Sequence, residues 1–187
     1  MGVTIYYKGK LDSVNDIAPF CDELEDIAKS MQWKYSVFSE FDNKDKVPLK
    51  GLIISPHPDS ESLQFMTDQQ GFLRNAFSFR FREPDDSLTF SNFIKTQFAP
   101  VDIHIAIVKL LKYIQKKYIS NLEVYDDGQY WETGDAGILE KKINFLNSAM
   151  DFLEDALNST EFKPNDTVET VAQKIEEILK RLNLKKP

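Results

Sequence analysis

The chain has one cysteine, two histidines and no long apolar run among its 187 residues. A lone Cys21 cannot close an internal disulfide, which fits a reducing compartment. It falls within a helical apolar stripe and reads as a buried structural thiol rather than a nucleophile. The longest apolar cluster, around Ile105-Ala106-Ile107-Val108, falls far short of the ~18–20 residues that a membrane-spanning helix needs. Met1-Gly2-Val3-Thr4 lead straight into a strand-like run, without the basic and apolar blocks of a signal peptide, and Tyr6 stands where a myristoylation motif needs Ser or Thr. A cytoplasmic location, with no membrane attachment, is the expectation. Basic residues are in the minority, 23 Lys and Arg against 30 Asp and Glu. The resulting net charge of −7 speaks against a broad nucleic-acid or anionic-membrane surface, because both need clustered positive potential. There is also no GxxxxGKS or GxxxxGKT, GxGxxG, GxSxG, HExxH or CxxC sequence. The usual handholds for a nucleotide-binding, hydrolytic, zinc or redox enzyme are therefore missing, and no cofactor is expected.

What is present suits a folded domain. Hydrophobic residues make up 42% of the chain and 14 of them are Phe, enough for one sizeable core. One domain over 1–187 is expected, to which a C-terminal helix at 166–184 can be an appendage. Val3-Thr4-Ile5-Tyr6-Tyr7 is β-branched and aromatic and reads as a first strand. Ser13, with Asp16 behind it, reads as the start of a helix whose stripe runs through Val14, Ile17, Cys21, Leu24, Ala28 and Met31. Its opposite side, with Asp16, Asp22, Glu23, Glu25 and Asp26, reads as a solvated acidic face.

Between Leu49 and Lys95 the period changes to two. Leu52–Ile54, Leu63–Met66, Phe77–Arg82 and Leu88–Phe90 read as consecutive strands of an antiparallel meander. Phe77, Phe79 and Phe81 should face a core, with Ser78, Arg80 and Arg82 on a wet opposite face. Val101 to Ile119 reads as a second helix and Leu122–Tyr125 as a short strand. Stripes from Leu139 to Leu157 and from Val168 to Leu182 predict two more helices, forming a hairpin about Pro164, the last opened by Asp166 and Glu169 in capping-box spacing. The expected fold class is α+β: a mainly antiparallel sheet, a meander in mid-chain, helices on one face and a C-terminal helical hairpin.

Four groups of residues could carry chemistry. His57 and Glu61 sit in the proline-framed turn SPHPDSE and His104 opens the second helix; together they could act in acid–base catalysis or hold a metal, although their spacing matches no zinc signature. Lys95 and Thr96 precede that helix and could bind an anion, without any glycine-rich cradle. The segment YDDGQYWETGD, 125–135, offers three readings. Asp127-Gly128 suggests a turn returning through Gln129–Glu132 as a second short strand, with Thr133 or Asp135 capping the next helix. Alternatively Asp126, Asp127 and Glu132 form a divalent-cation site, though not an EF-hand, or Tyr130 and Trp131 anchor a protein partner.

The succession TIYYKGKL, SPHPDSESLQF, FIKTQFAP with a following LLKYI helix, and LEVYDDGQYWETGD resembles uncharacterised bacterial proteins over roughly residues 1–158. The resemblance implies a bacterial cytosolic protein and transfers no catalytic residue. An acidic, motif-poor chain offers surfaces more readily than chemistry, so the leading expectation is a non-enzymatic interaction or regulatory domain with a protein partner. The alternatives are a small hydrolase or metal-dependent enzyme using His57, Glu61 and His104, and an acidic inhibitor of the immunity type that binds a basic partner.

Overall fold

The computed structural model describes residues 2–38, 49–75, 92–161, 163 and 165–183. It divides into two compact units, Gly2–Leu139 and the residues from Glu140 onward. The fold is α+β, as expected, with all strand pairs antiparallel.

In the first unit the strands form two sheets rather than one. β1 (Thr4–Lys8) lies between β6 (Asn92–Lys95) and β7 (Glu123–Asp126), and is antiparallel to both. β6 and β7 are therefore parallel to each other, and α2 (Val101–Lys117) connects them in a β-α-β unit split by β1. The second sheet is a four-stranded meander of β2 (Lys34–Phe38), β3 (Lys50–Ser55), β4 (Leu63–Thr67) and β5 (Leu73–Arg74). β2, β5 and β6 have no counterpart among the expected strands, and β6 pairs with β1 rather than with the meander. The expected strands at Phe77–Arg82 and Leu88–Phe90 lie outside the described residues, as do Phe77, Phe79, Phe81, Arg80 and Arg82.

Main-chain bonds join the sheets. Leu73 N–H donates to the Gly9 carbonyl and Leu11 N–H to the Gly71 carbonyl, each at 2.9 Å. The tight turn before β5 requires Gly71, whose φ of +84° is costly for any side chain. Tyr7 uses its hydroxyl twice, donating to the Gln64 carbonyl and accepting from the Gln64 N–H, both at 3.0 Å.

Alternation along the strands selects the core. Ile5, Tyr7 and Ile94 from one sheet meet Leu52, Ile54, Leu63 and Phe65 from the other. α1 (Ile17–Ser30) adds Phe20, Cys21, Leu24 and Ala28, while α2 adds Ile107, Val108, Leu111 and Ile114. Both helices thus enter the core that the inner faces of the two sheets share, with α1 lying against β2 and β3. Burial pushes the Cys21 thiol up to about 11, so it stays protonated at neutral pH. Val14 and Met31, expected in the α1 stripe, are exposed. Ser13 caps a separate turn of 3-10 helix, Val14–Asp16, which rotates Val14 off the buried face.

The acidic side of α1 is not simply solvated. Glu23 accepts two hydrogen bonds from Lys117 Nζ, at 2.6 and 2.7 Å, and one from each of the Tyr113 and Tyr118 hydroxyls, tying α1 to the end of α2. Burial would raise the Glu23 carboxyl, but these hydrogen bonds outweigh it and bring it down from 4.5 to about 2.

The second unit holds most of α4 (Ala136–Ser159) and all of α5 (Val168–Asn183). Thr167, not Asp166, caps α5, because Thr167 is the residue next to its first turn and accepts from Thr170 N–H at 3.3 Å. Asp166 instead binds Lys174 Nζ at 2.6 Å and the Lys163 N–H at 2.9 Å. Pro164, about which the hairpin was expected to turn, is outside the described residues.

The Glu23 cluster makes a pH-dependent prediction. A carboxyl lowered in the folded state adds stability that is full above its unfolded value, near 4.5, and is lost as the pH falls towards 2. Glu23→Gln should cost on the order of 1 kcal/mol at pH 7, with the Lys117 side chain half exposed to solvent, and almost nothing near pH 2. Urea denaturation of both proteins at the two pH values measures this.

Candidate functional site

Three of the four groups singled out in the sequence each give one member to a single buried cluster. Thr96 closes β6, His104 stands in the first turns of α2, and Asp126 ends β7. His104 Nδ1 lies 2.7 Å from Thr96 Oγ1, and Nε2 lies 3.1 Å from Asp126 Oδ2. An ionised carboxylate can only accept, so Nε2–H is the donor to Asp126. Nδ1 then faces a hydroxyl, which can donate or accept, so the ring is satisfied whether or not Nδ1 carries a proton.

Asp126 is further held by the Gly128 N–H on Oδ1 at 2.7 Å and the Trp131 N–H on Oδ2 at 2.9 Å. Burial alone would raise this carboxyl; the hydrogen bond and charge attraction of His104, helped by the two N–H groups, bring it below its ordinary value. Gly128 is needed because a Cβ there would come within 2.6 Å of Leu139 Cδ1 and 3.0 Å of both Asp126 Oδ1 and His104 Cε1.

A hydroxyl, an imidazole and a carboxylate in sequence are the parts of an activated nucleophile. Here, however, Thr96, His104 and Asp126 are 0%, 0% and 2% exposed, so no substrate can reach the hydroxyl without opening the fold. In this conformation the cluster is a clamp that ties β6, α2 and β7 at one end of the sheet.

The remaining candidates lie elsewhere. His57 sits on the turn between β3 and β4, where Nδ1 accepts from the Asp59 N–H at 3.2 Å. Glu61 behaves as an edge partner for β6: its N–H donates to the Lys95 carbonyl and its Oε2 accepts the Lys95 N–H at 2.8 Å. Lys95 is in β6 rather than at a helix start, with Nζ 5.1 Å from the Phe98 ring centre. Asp127 is half-buried in the turn and Glu132 is exposed.

Gln129–Glu132 does not return as a strand. Tyr130–Thr133 form one helical turn, α3, bounded by left-handed residues Gln129 and Gly134 at φ of 60° and 65°. Tyr130 and Trp131 pack partly buried against the core, and Lys112 Nζ lies 5.4 Å from the Trp131 ring centre. Asp135 caps α4, accepting from Gly137 N–H at 2.8 Å, as the turn reading expects.

A row of exposed aromatic rings has no counterpart among the expected site residues. On the face of the three-stranded sheet away from the core, Phe93, Tyr6 and Tyr125 are direct cross-strand neighbours. Their rings form a row, with centroids 6.2 and 6.1 Å apart, and are 40%, 37% and 64% exposed. The available signal was alternation: Tyr6 falls between the inward Ile5 and Tyr7, and Phe93 between the inward Asn92 and Ile94.

No protein-family model, no curated protein and no solved structure matches this chain. Among the described residues no helix is long and apolar enough to cross a membrane.

Two substitutions probe the clamp. Asp126→Asn keeps the shape but loses one acceptor for three donors, and should cost about 1–3 kcal/mol at pH 7. Because the wild-type carboxyl is lowered, its contribution is full above the ordinary carboxylate range and declines as the pH falls below about 4, so the two proteins should converge in acid. Gly128→Ala should cost about 1–3 kcal/mol through overpacking. Chemical denaturation measures both; an unchanged midpoint for either would contradict the geometry.

Proposed function

We propose that this protein is a non-enzymatic interaction module whose contact surface is the outer face of the β6–β1–β7 sheet. The observation that carries the reading is the Phe93–Tyr6–Tyr125 row. Side chains rich in apolar area and low in rotamer freedom are those that dominate protein interfaces when they project from a rigid scaffold. The sheet supplies such a scaffold, since Ile5, Tyr7 and Ile94 on its other face are buried in the core and its end is held by the Thr96–His104–Asp126 clamp. The groups with chemical potential meanwhile serve structure: His104 and Asp126 hold each other, and Glu61 pairs with the β6 backbone.

The test compares two exposed surfaces. Phe93→Ser with Tyr125→Ser should leave thermal stability nearly unchanged, yet remove proteins captured from extract of the source cell by the wild-type chain. Val37→Ser, on the exposed part of β2, is the control and should leave capture intact. A large fall in melting temperature for the row variant, or capture lost only with Val37→Ser, would reject the reading.

A further inference from the structure

We infer that the Phe93–Tyr6–Tyr125 row receives a basic, extended segment of a partner protein, with Arg or Lys side chains at alternate positions seated one on each ring. This rests on the reading of the row as an interaction face and adds the chemistry of the occupant.

Other exposed rings of this unit each lie under a cation of the same chain. The face of an aromatic ring carries a negative quadrupole that attracts a cation within about 6 Å. Phe72 has Lys10 Nζ at 4.7 Å and Arg74 Cζ at 5.1 Å, Phe98 has Lys95 at 5.1 Å, and Tyr113 has Lys117 at 5.5 Å. Among the described residues of this unit, the exposed rings that carry no cation are Tyr6, Phe93 and Tyr125, and these are the three in the row. The neighbouring lysines are committed: Lys8 Nζ is paired with Glu123 at 2.9 Å and Lys95 lies over Phe98.

The spacing of the rings matches an extended chain. Alternate side chains of an extended strand point the same way about 6.8 Å apart, close to the 6.2 and 6.1 Å between these rings. Three strands of about four residues also present only on the order of 200 Å². A standard interface between folded proteins takes about 800 Å² from each partner, so the face suits a single strand of chain better than a second globular copy. Finally, the net charge of −7 favours a basic partner over nucleic acid during approach.

The probe is a labelled peptide of Arg and Thr in strict alternation, titrated with the full chain and followed by fluorescence anisotropy. Comparators are a peptide of the same composition with its arginines contiguous, one with Glu replacing Arg, and an oligothymidine. Replacing all three rings by leucine, as Tyr6→Leu, Phe93→Leu and Tyr125→Leu, keeps apolar bulk but removes the ring faces, and should weaken alternating-peptide binding about tenfold or more. Tyr125→Phe retains the ring and should bind like the wild type. The contiguous peptide should bind more weakly and the Glu peptide not at all. Equal affinity for the leucine variant, tighter binding of oligothymidine, or no binding of the alternating peptide would each overturn the proposal. If the peptide fails while capture from extract still depends on the row, the occupant is wrong and the interaction face stands; if capture is also independent of the row, both fall.

Discussion

An imidazole sealed from water needs a partner at each ring nitrogen, and in this fold that requirement reaches into three distant parts of the chain. His104 is wholly buried, and leaving either nitrogen unpaired would cost about 1–3 kcal/mol. Thr96 at the end of β6 and Asp126 at the end of β7 meet the need. The bonds therefore fix the two edge strands relative to α2, and β1, hydrogen-bonded between them, follows. The same carboxylate orders the next stretch of chain through Gly128 and Trp131. A side chain that stood in the sequence as a candidate for acid–base or metal chemistry is the point from which sheet, helix and turn take their positions.

This dependence explains which parts of the fold could be read from sequence. Local signals succeeded where one element determines its own pattern: the α2 stripe through Ile107, Leu111 and Ile114, the β3 and β4 runs, and the Asp135 cap of α4. They failed where tertiary pairing decides. β2 is an edge strand whose Lys34, Ser36 and Val37 are exposed, so it carries little burial pattern. Tyr130-Trp131-Glu132 has strand-like residues, yet Asp126 draws the Trp131 N–H inward and the segment closes into a helical turn. Nothing local says that Phe93 and Ile94 belong beside Tyr6 and Ile5 rather than in the meander.

The site was harder still, for a related reason. Thr96, His104 and Asp126 were each visible as polar residues next to an element boundary, but in three different hypotheses; only the antiparallel register brings them together. The aromatic row is more dispersed, one ring from each of three strands at positions 6, 93 and 125. Alternation predicts that Tyr6 and Phe93 each point away from their buried neighbours. It cannot predict that they point at the same place.

The energetics of the row limit what it can do by itself. An exposed cation–π contact contributes about 0.5–1 kcal/mol, so three filled rings give about 1.5–3 kcal/mol, less than the 4–15 kcal/mol that association costs in lost freedom. Most of the affinity for a partner must then come from outside the rings, through long-range attraction to the acidic chain and contacts flanking the strand. The rings contribute differently. At spacings of 6.2 and 6.1 Å on a sheet fixed by a buried clamp, they reward one register of cations and leave others unpaired. A slip of one residue in the bound segment would turn every cation away from its ring. Charge would bring a basic chain to this face, and the rigid spacing of the row would select which basic chain stays.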